Sequence, residues 1–291
     1  MNRQLAEQVA NAILYEGYML YPYRSSSIKN QQRWTFGTLY PPQYSEVRAG
    51  TERSTLHSEC MLQISNGSKA PATVHIQLRF LQLDSADECA DRSSDFDVDP
   101  ARELHSFTFR FAGIVGTLSI ACQPIANHIF KLIIEATNAT PIPPDSHRES
   151  ALSRSLLSAH ILLSAQNAEF ISLFDPPPEL AEAASGCKNP GNFPVLIGNQ
   201  HERDMLLCSP ILLYDYPQVA PESAGDFFDA TEMDEMLTLR VMTLTDQEKN
   251  EMCANDHARN LLLRTEQTAR EQLTKTHGTI RSMRPLSDSN D

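Results

Sequence analysis

The sequence predicts an α+β protein built on an antiparallel β-sandwich or open barrel, with one helix before it and a helical extension behind. Three observations carry that expectation. Apolar and polar residues alternate in 56–64, 73–80 and 105–111, the two-residue period of strands with one wet face. Seven or so such runs are spaced by turn residues, with no helix of length between them. After Asp175-Pro176-Pro177-Pro178 the texture changes, and helix-capping signals return.

In chain order, Asn2 can cap a first helix whose apolar side is Leu5, Ala6, Val9, Ala10, Ile13 and Leu14. From residue 55 the period becomes two. Leu56, Cys60, Leu62 and Ile64 share one face, with His57, Glu59 and Gln63 on the other. Val74, Ile76, Leu78 and Phe80 alternate with Thr73, His75, Gln77 and Arg79. Phe107, Phe109 and Phe111 alternate with Ser106, Thr108 and Arg110. Further strands are expected over 117–122, 128–137, 156–165 and 169–174, the last two joined across Gln166-Asn167. Turns are expected at Asn66-Gly67, Gly113 to Gly116, Asn138 and 141–144. Glu179 to Gly186 reads as a short helix with prolines at its start. The apolar runs 193–197 and 205–214 fit edge strands or an extended arm, and the prolines at 190, 194, 210 and 217 favour the arm. Asp229 with Glu232, then Thr245 with Glu248, cap helices, and a last helix ends at His277-Gly278. The expected organisation is therefore 1–45, helix and aromatic-basic segment; 46–175, sandwich; 176–278, arm and helices; 279–291, tail.

Charge narrows the function. The 291 residues carry 24 basic and 37 acidic side chains, a formal net charge of −13. That balance argues against a general nucleic-acid binder, whose affinity comes from cations on phosphates. No run approaches the roughly 18 uninterrupted apolar residues of a membrane span, and the first residues lack the features of a secretory signal. Six cysteines without CxxC spacing read as reduced thiols in a cytoplasmic protein. The acidic excess is concentrated: residues 51–100 hold four bases against nine acids, and 201–250 three against eleven. Within the first block, 84–100 is dense in Asp and Ser and reads as an exposed loop; without a glycine it fits no EF-hand.

Phosphate-binding, nucleophile-elbow and zincin motifs are all missing from the sequence. His57, His75 and His105 are expected on wet strand faces, and His160 as a satisfied structural histidine. Cys187, His201 and Cys208 form a weak candidate metal set, since their spacing matches no standard finger. No cofactor is expected. Two stretches are more distinctive. Residues 15–44 hold six of the eight tyrosines and the single Trp, together with basic side chains. There Tyr21, Tyr23, Arg24, Lys29, Arg33 and Trp34 are candidate partner-binding residues, because aromatics and Arg anchor interfaces at low entropic cost. Between 209 and 240 the acids leave Arg240 as the sole cation. Asp215, Tyr216, Glu222 and Asp226 are the candidates here, with Asp215 expected to hold Arg24, Arg33 or a basic partner.

The runs YEGYMLYPYRSSSIKNQQRWTFG (15–37), EFISLFDPPPEL (169–180), CKNPGNFPVLIG (187–198) and the stretch 209–249 resemble a poorly characterised bacterial family encoded beside nickel–iron hydrogenase structural and accessory proteins. The resemblance spans residues 13 to 249. It implies a non-catalytic accessory protein that assembles or scaffolds a hydrogenase through protein–protein contacts, its partner a hydrogenase subunit or another accessory protein. It brings no catalytic motif. Without a His-rich tract or paired CxxC ligands the chain resembles neither a nickel donor nor a hydrogenase large subunit. The alternative is a hydrolase or transferase using a His with a Cys or Asp in a cleft between sandwich and arm. A weaker one is a metal-site protein using Cys187 and Cys208.

Overall fold

Strands with one apolar face must bury it, and here two sheets bury theirs against each other. The computed structural model describes residues 6–11, 37–48, 52–65, 70–83 and 89–217. The strands in that span are β1 (Thr55–Ile64), β2 (Thr73–Leu83), β3 (Cys89–Val98), β4 (Leu104–Phe111), β5 (Ile114–Ala126), β6 (Ile129–Asn138), β7 (Leu157–Gln166), β8 (Ala168–Ile171), β9 (Phe193–Leu196) and β10 (Met205–Ser209). One sheet has the order β4-β5-β6-β1-β8 and the other β3-β2-β7-β10-β9. Neighbouring strands are antiparallel throughout. The helical pieces are α1, described over 6–11, and the short α2 (Pro42–Glu46), α3 (Arg148–Leu152) and α4 (Ala181–Ser185), the last led in by a 3-10 turn at Pro178–Leu180. Among the described residues no helix is long and apolar enough to cross a membrane.

The expected inward faces meet at the centre. Leu56, Cys60 and Leu62 of β1 and Leu132, Ile134 and Ala136 of β6 pack against Val74, Ile76, Leu78 and Phe80 of β2 and Ile161 and Leu163 of β7. Each such side chain contributes about 1.5–3 kcal/mol on burial. Across the β4–β5 pairing Phe109 lies opposite Gly116, and a Cβ on Gly116 would run into the Phe109 ring, so glycine is required there. The outer faces are covered in part. Ala6, Val9 and Ala10 of α1 lie with Leu162, Val195, Ile197, Met205 and Leu207 on one sheet, and Leu180 and Ala184 lie with Met61 and Ile171 on the other. Of the predicted α1 stripe Ala6, Val9 and Ala10 are thus seen, Leu5, Ile13 and Leu14 lying outside the described residues; the 179–186 helix is also present, although Gly186 ends it with ordinary right-handed φ of −76°.

Three expectations are corrected. Residues 89–98, expected to be loop, form edge strand β3, paired along its length with β2. Its aspartates alternate: Asp91, Asp95 and Asp97 stand on the outward face, where Asp91 meets Arg79 and the other two meet His75. Acids on an edge strand are a device against edge-to-edge pairing, and they conceal the strand from a hydrophobicity pattern. Second, 193–196 and 205–209 belong to the sandwich and not to an arm laid over it; Pro194 is tolerated because β9 is an edge. Third, His105 is buried, its Nε2 at 2.9 Å from the Asp99 carbonyl. The joint expected at Gln166-Asn167 is seen, and it carries the chain from one sheet to the other, with Asn167 at φ 57°. The helices expected between 229 and 278, the arm beyond 217 and the tail lie outside the described residues.

Candidate functional site

Two regions of the described residues are candidates to meet a partner or substrate. The first is the outer face of β1. Strand β8 covers β1 only from Met61 to Ile64, which leaves the backbone at Ser58 and Glu59 without a strand neighbour on that side. The turn after α4 supplies one. Asn189 Oδ1 accepts from the Glu59 N–H (2.8 Å) and the Ser58 hydroxyl (2.9 Å), while its Nδ2 donates to the Glu59 carbonyl (3.0 Å). A single side-chain amide therefore imitates a strand edge. Replacing Asn189 with Ala leaves these buried groups unpaired, and about 2 kcal/mol of stability is expected to be lost in chemical denaturation. A loss below about 0.5 kcal/mol would refute the role.

Glu59 is the electrostatic centre of this face. Its Oε2 receives the Lys188 N–H (2.9 Å) and lies 3.2 Å from Lys131 Nζ; its Oε1 lies 3.2 Å from His57 Nε2. His57 Nδ1 is in turn 3.1 Å from Glu135. Burial alone would raise the Glu59 carboxyl, but the Lys188 N–H, Lys131 and His57 outweigh it and hold it below its ordinary value. A carboxylate stabilised in this way anchors the 187–189 loop and is a poor general acid. Beside it, burial and the Glu59 charge push the Cys187 thiol up, against a smaller opposing pull from Lys131. Burial likewise raises Cys122 to about 11, Cys208 to about 12 and Cys60 well above its usual value. In each case burial favours the neutral thiol, the opposite of what a thiolate nucleophile requires.

The weak metal candidates lie in different settings. Cys208 is on the core side of β10, Cys187 is half-buried after α4, and His201 is in an exposed turn. Among the described residues no three His, Cys, Asp or Glu side chains form a group able to hold a metal ion.

The second region follows β10. Asp215 takes the Leu196 N–H on Oδ1 (2.8 Å) and the Ser172 hydroxyl on Oδ2 (2.5 Å), and the Tyr216 N–H donates to the Leu196 carbonyl (2.7 Å). Asp215 thus ties the chain to β9 and to the end of β8, and the Tyr216 backbone, at φ 58°, turns its ring onto the core. The partners of Asp215 seen here are a backbone amide and a hydroxyl of its own chain. Just before this tie, alternation sets Ile211 and Leu213 inward and leaves Leu212 60% and Tyr214 75% exposed. Phe174, 50% exposed, brings its ring to 5.8 Å from that of Tyr214. This apolar patch was missed in the sequence reading, although large apolar residues on both faces of 211–214 are the signal that marks it. Tyr21, Tyr23, Arg24, Lys29, Arg33, Trp34, Glu222 and Asp226 lie outside the described residues. No protein-family model and no curated protein matches the chain.

Proposed function

We propose that this chain is a non-catalytic accessory protein that works by protein–protein contact, and that its partner is a nickel–iron hydrogenase subunit or another accessory protein of that system in the cytoplasm. The observation that carries the binding role is the Phe174, Leu212 and Tyr214 patch. Its rings are exposed, yet the backbone beneath them is fixed by Asp215 on Ser172 and Leu196. Aromatic side chains on a fixed base provide contact area with little ordering cost on binding. Protonated, buried thiols support a binding role over cysteine chemistry. The hydrogenase partner rests on the sequence resemblance.

The test is affinity capture of the full chain from cells that express the hydrogenase. Hydrogenase components are expected in the eluate of the parent protein. A Tyr214→Ser, Leu212→Ser double variant is expected to reduce their recovery at least tenfold while unfolding at an unchanged temperature. Capture of no hydrogenase component by the parent removes the partner, and undiminished capture by the double variant removes the patch.

A further inference from the structure

Each sheet of the sandwich has two edges, and three of the four are guarded. The four-residue β8 gives its Phe170 N–H to the Arg203 carbonyl at 2.7 Å. Strand β9 carries Pro194 and is capped at Leu196 by Asp215 and Tyr216. Strand β3 presents Asp91, Asp95 and Asp97. The fourth edge, β4, has eight residues, no proline and no acid, and among the described residues it pairs only with β5. Natural sheets rarely leave an edge of this kind bare, because its free N–H and C=O groups template another strand.

The phase of that edge follows from one bond. The Cys122 N–H donates to the Glu103 carbonyl at 2.8 Å, so the odd-numbered residues of β4 exchange hydrogen bonds with β5. The even-numbered residues Leu104, Ser106, Thr108 and Arg110 therefore direct their backbone groups away from the sheet. Their side chains are all exposed, Leu104 by 58%.

We propose that β4 pairs antiparallel with β4 of a second copy of this chain about a two-fold axis through Phe107, joining two five-stranded sheets into one. In this register Ser106 faces the other copy's Thr108, and Leu104 faces its Arg110. Every outward-directed residue of the strand then enters a hydrogen-bonded pair. The register also sets inward residues opposite inward residues, Phe107 facing its own copy and His105 facing Phe109, so the cores of both copies lie on the same side of the joined sheet; a shift by one residue would pair inward with outward residues and lose the hydrogen-bond phase. No charge faces a like charge, and the exposed Leu104 is covered by the aliphatic stem of Arg110. Self-complementarity of one strand is the requirement of a closed two-fold interface, and it selects a second copy over an unrelated strand.

Sedimentation velocity of the full chain from low to high micromolar concentration tests this. A reversible species of twice 32.6 kDa is expected. Thr108→Pro removes an outward N–H that the β4–β5 ladder does not use, and Ser106→Lys sets a charge at the seam. Each is expected to raise the dimer dissociation constant at least tenfold, with circular dichroism unchanged. Should Thr108→Pro fail to fold, Ser106→Lys decides alone. A parent protein that stays monomeric throughout overturns the proposal, as does a folded variant that dimerises like the parent.

Discussion

Phe80→Ala is expected to lower the free energy of unfolding by about 4 kcal/mol, the cost typical of emptying an aromatic site in a packed core. Phe80 is fully buried on β2. Its ring meets Phe111 at 5.3 Å, nearly edge-on at 84°, and Phe109 at 6.2 Å, so it joins the two sheets near the β3 and β4 edges. Collapse into the vacated space is restricted from both sides. Phe109 is already held over Gly116, and next to Phe80 the β2–β7 register shifts between Arg79 and Leu81. The cavity should therefore persist, and its cost with it. Phe174→Ala, which removes a ring half exposed on the surface, should cost less than about 1 kcal/mol. Denaturant unfolding followed by circular dichroism measures both. A Phe80→Ala loss below about 1.5 kcal/mol would mean that the sheets do not meet at this ring.

How far the sandwich is legible depends on the residues that make each strand. Strands β1, β2 and β4 announce themselves, because their inward residues are large and apolar and their outward residues are polar. Strand β3 does not. Its inward face includes Ala90, Arg92 and Ser94, and its outward face is mostly aspartate, so neither face stands out. What forms it is the partner across the ladder, where His75 and Arg79 of β2 receive those aspartates. The same reasoning applies to β9 and β10. Their prolines favour an arm when the segment is read alone, but Val195, Met205 and Leu207 are buried with α1 residues nearly two hundred positions away. The exchange of sheets at Asn167 is likewise invisible locally, since Gln-Asn between two apolar runs also describes a hairpin.

The site was less legible than the fold. Asn189 reads as a loop residue in Lys188-Asn189-Pro190-Gly191, and only the gap left by the short β8 gives its amide something to complete. Asp215 was recognised as unusual between two tyrosines, but its partners, Ser172 and Leu196, are uncharged and distant in sequence. A search for opposite charges could not have found them. His105 and Arg79 show the converse. Arg79 sits where alternation places a wet residue and is buried because Asn11 of α1 lies over it, whereas His105 shares the inward side of β4 with Phe107 and Phe109 and is buried there with its Nε2 at the Asp99 carbonyl.

Acid should destabilise this protein through His160 before its carboxylates are protonated. The imidazole is completely buried on β7. Its Nδ1 hydrogen bonds the Ser158 carbonyl at 2.9 Å, so Nδ1 carries the proton and Nε2 is bare. Nε2 and the neighbouring Ser158 hydroxyl have no hydrogen-bond partner, and Ser158 itself is held at φ 50°. The sequence predicts a satisfied histidine here, but only half of the ring is satisfied. Burial drives its pKa down to about 4 from 6.5, with Arg79 adding to the depression and the Ser158 carbonyl opposing it. Below pH 6.5 the unfolded chain takes up a proton that the folded chain refuses, so stability falls with pH. The fall levels off near the folded value of about 4, by which point about 3 kcal/mol has been lost. Glu59, whose folded pKa is lowered from 4.5, acts mainly below that value and in the same direction, so of these two groups His160 governs the window between pH 6.5 and 4.5. His160→Leu separates the two. At pH 7 the variant gives up one neutral hydrogen bond but relieves an unpaired nitrogen, and its stability should stay within about 1 kcal/mol of the parent. At pH 4.5 the order should reverse, with the variant more stable by about 2 kcal/mol because it has no proton to refuse. Denaturant midpoints of the two proteins across this range measure the difference. Parallel curves would show that His160 is not buried neutral, and that the space beside Ser158 admits a partner for its Nε2.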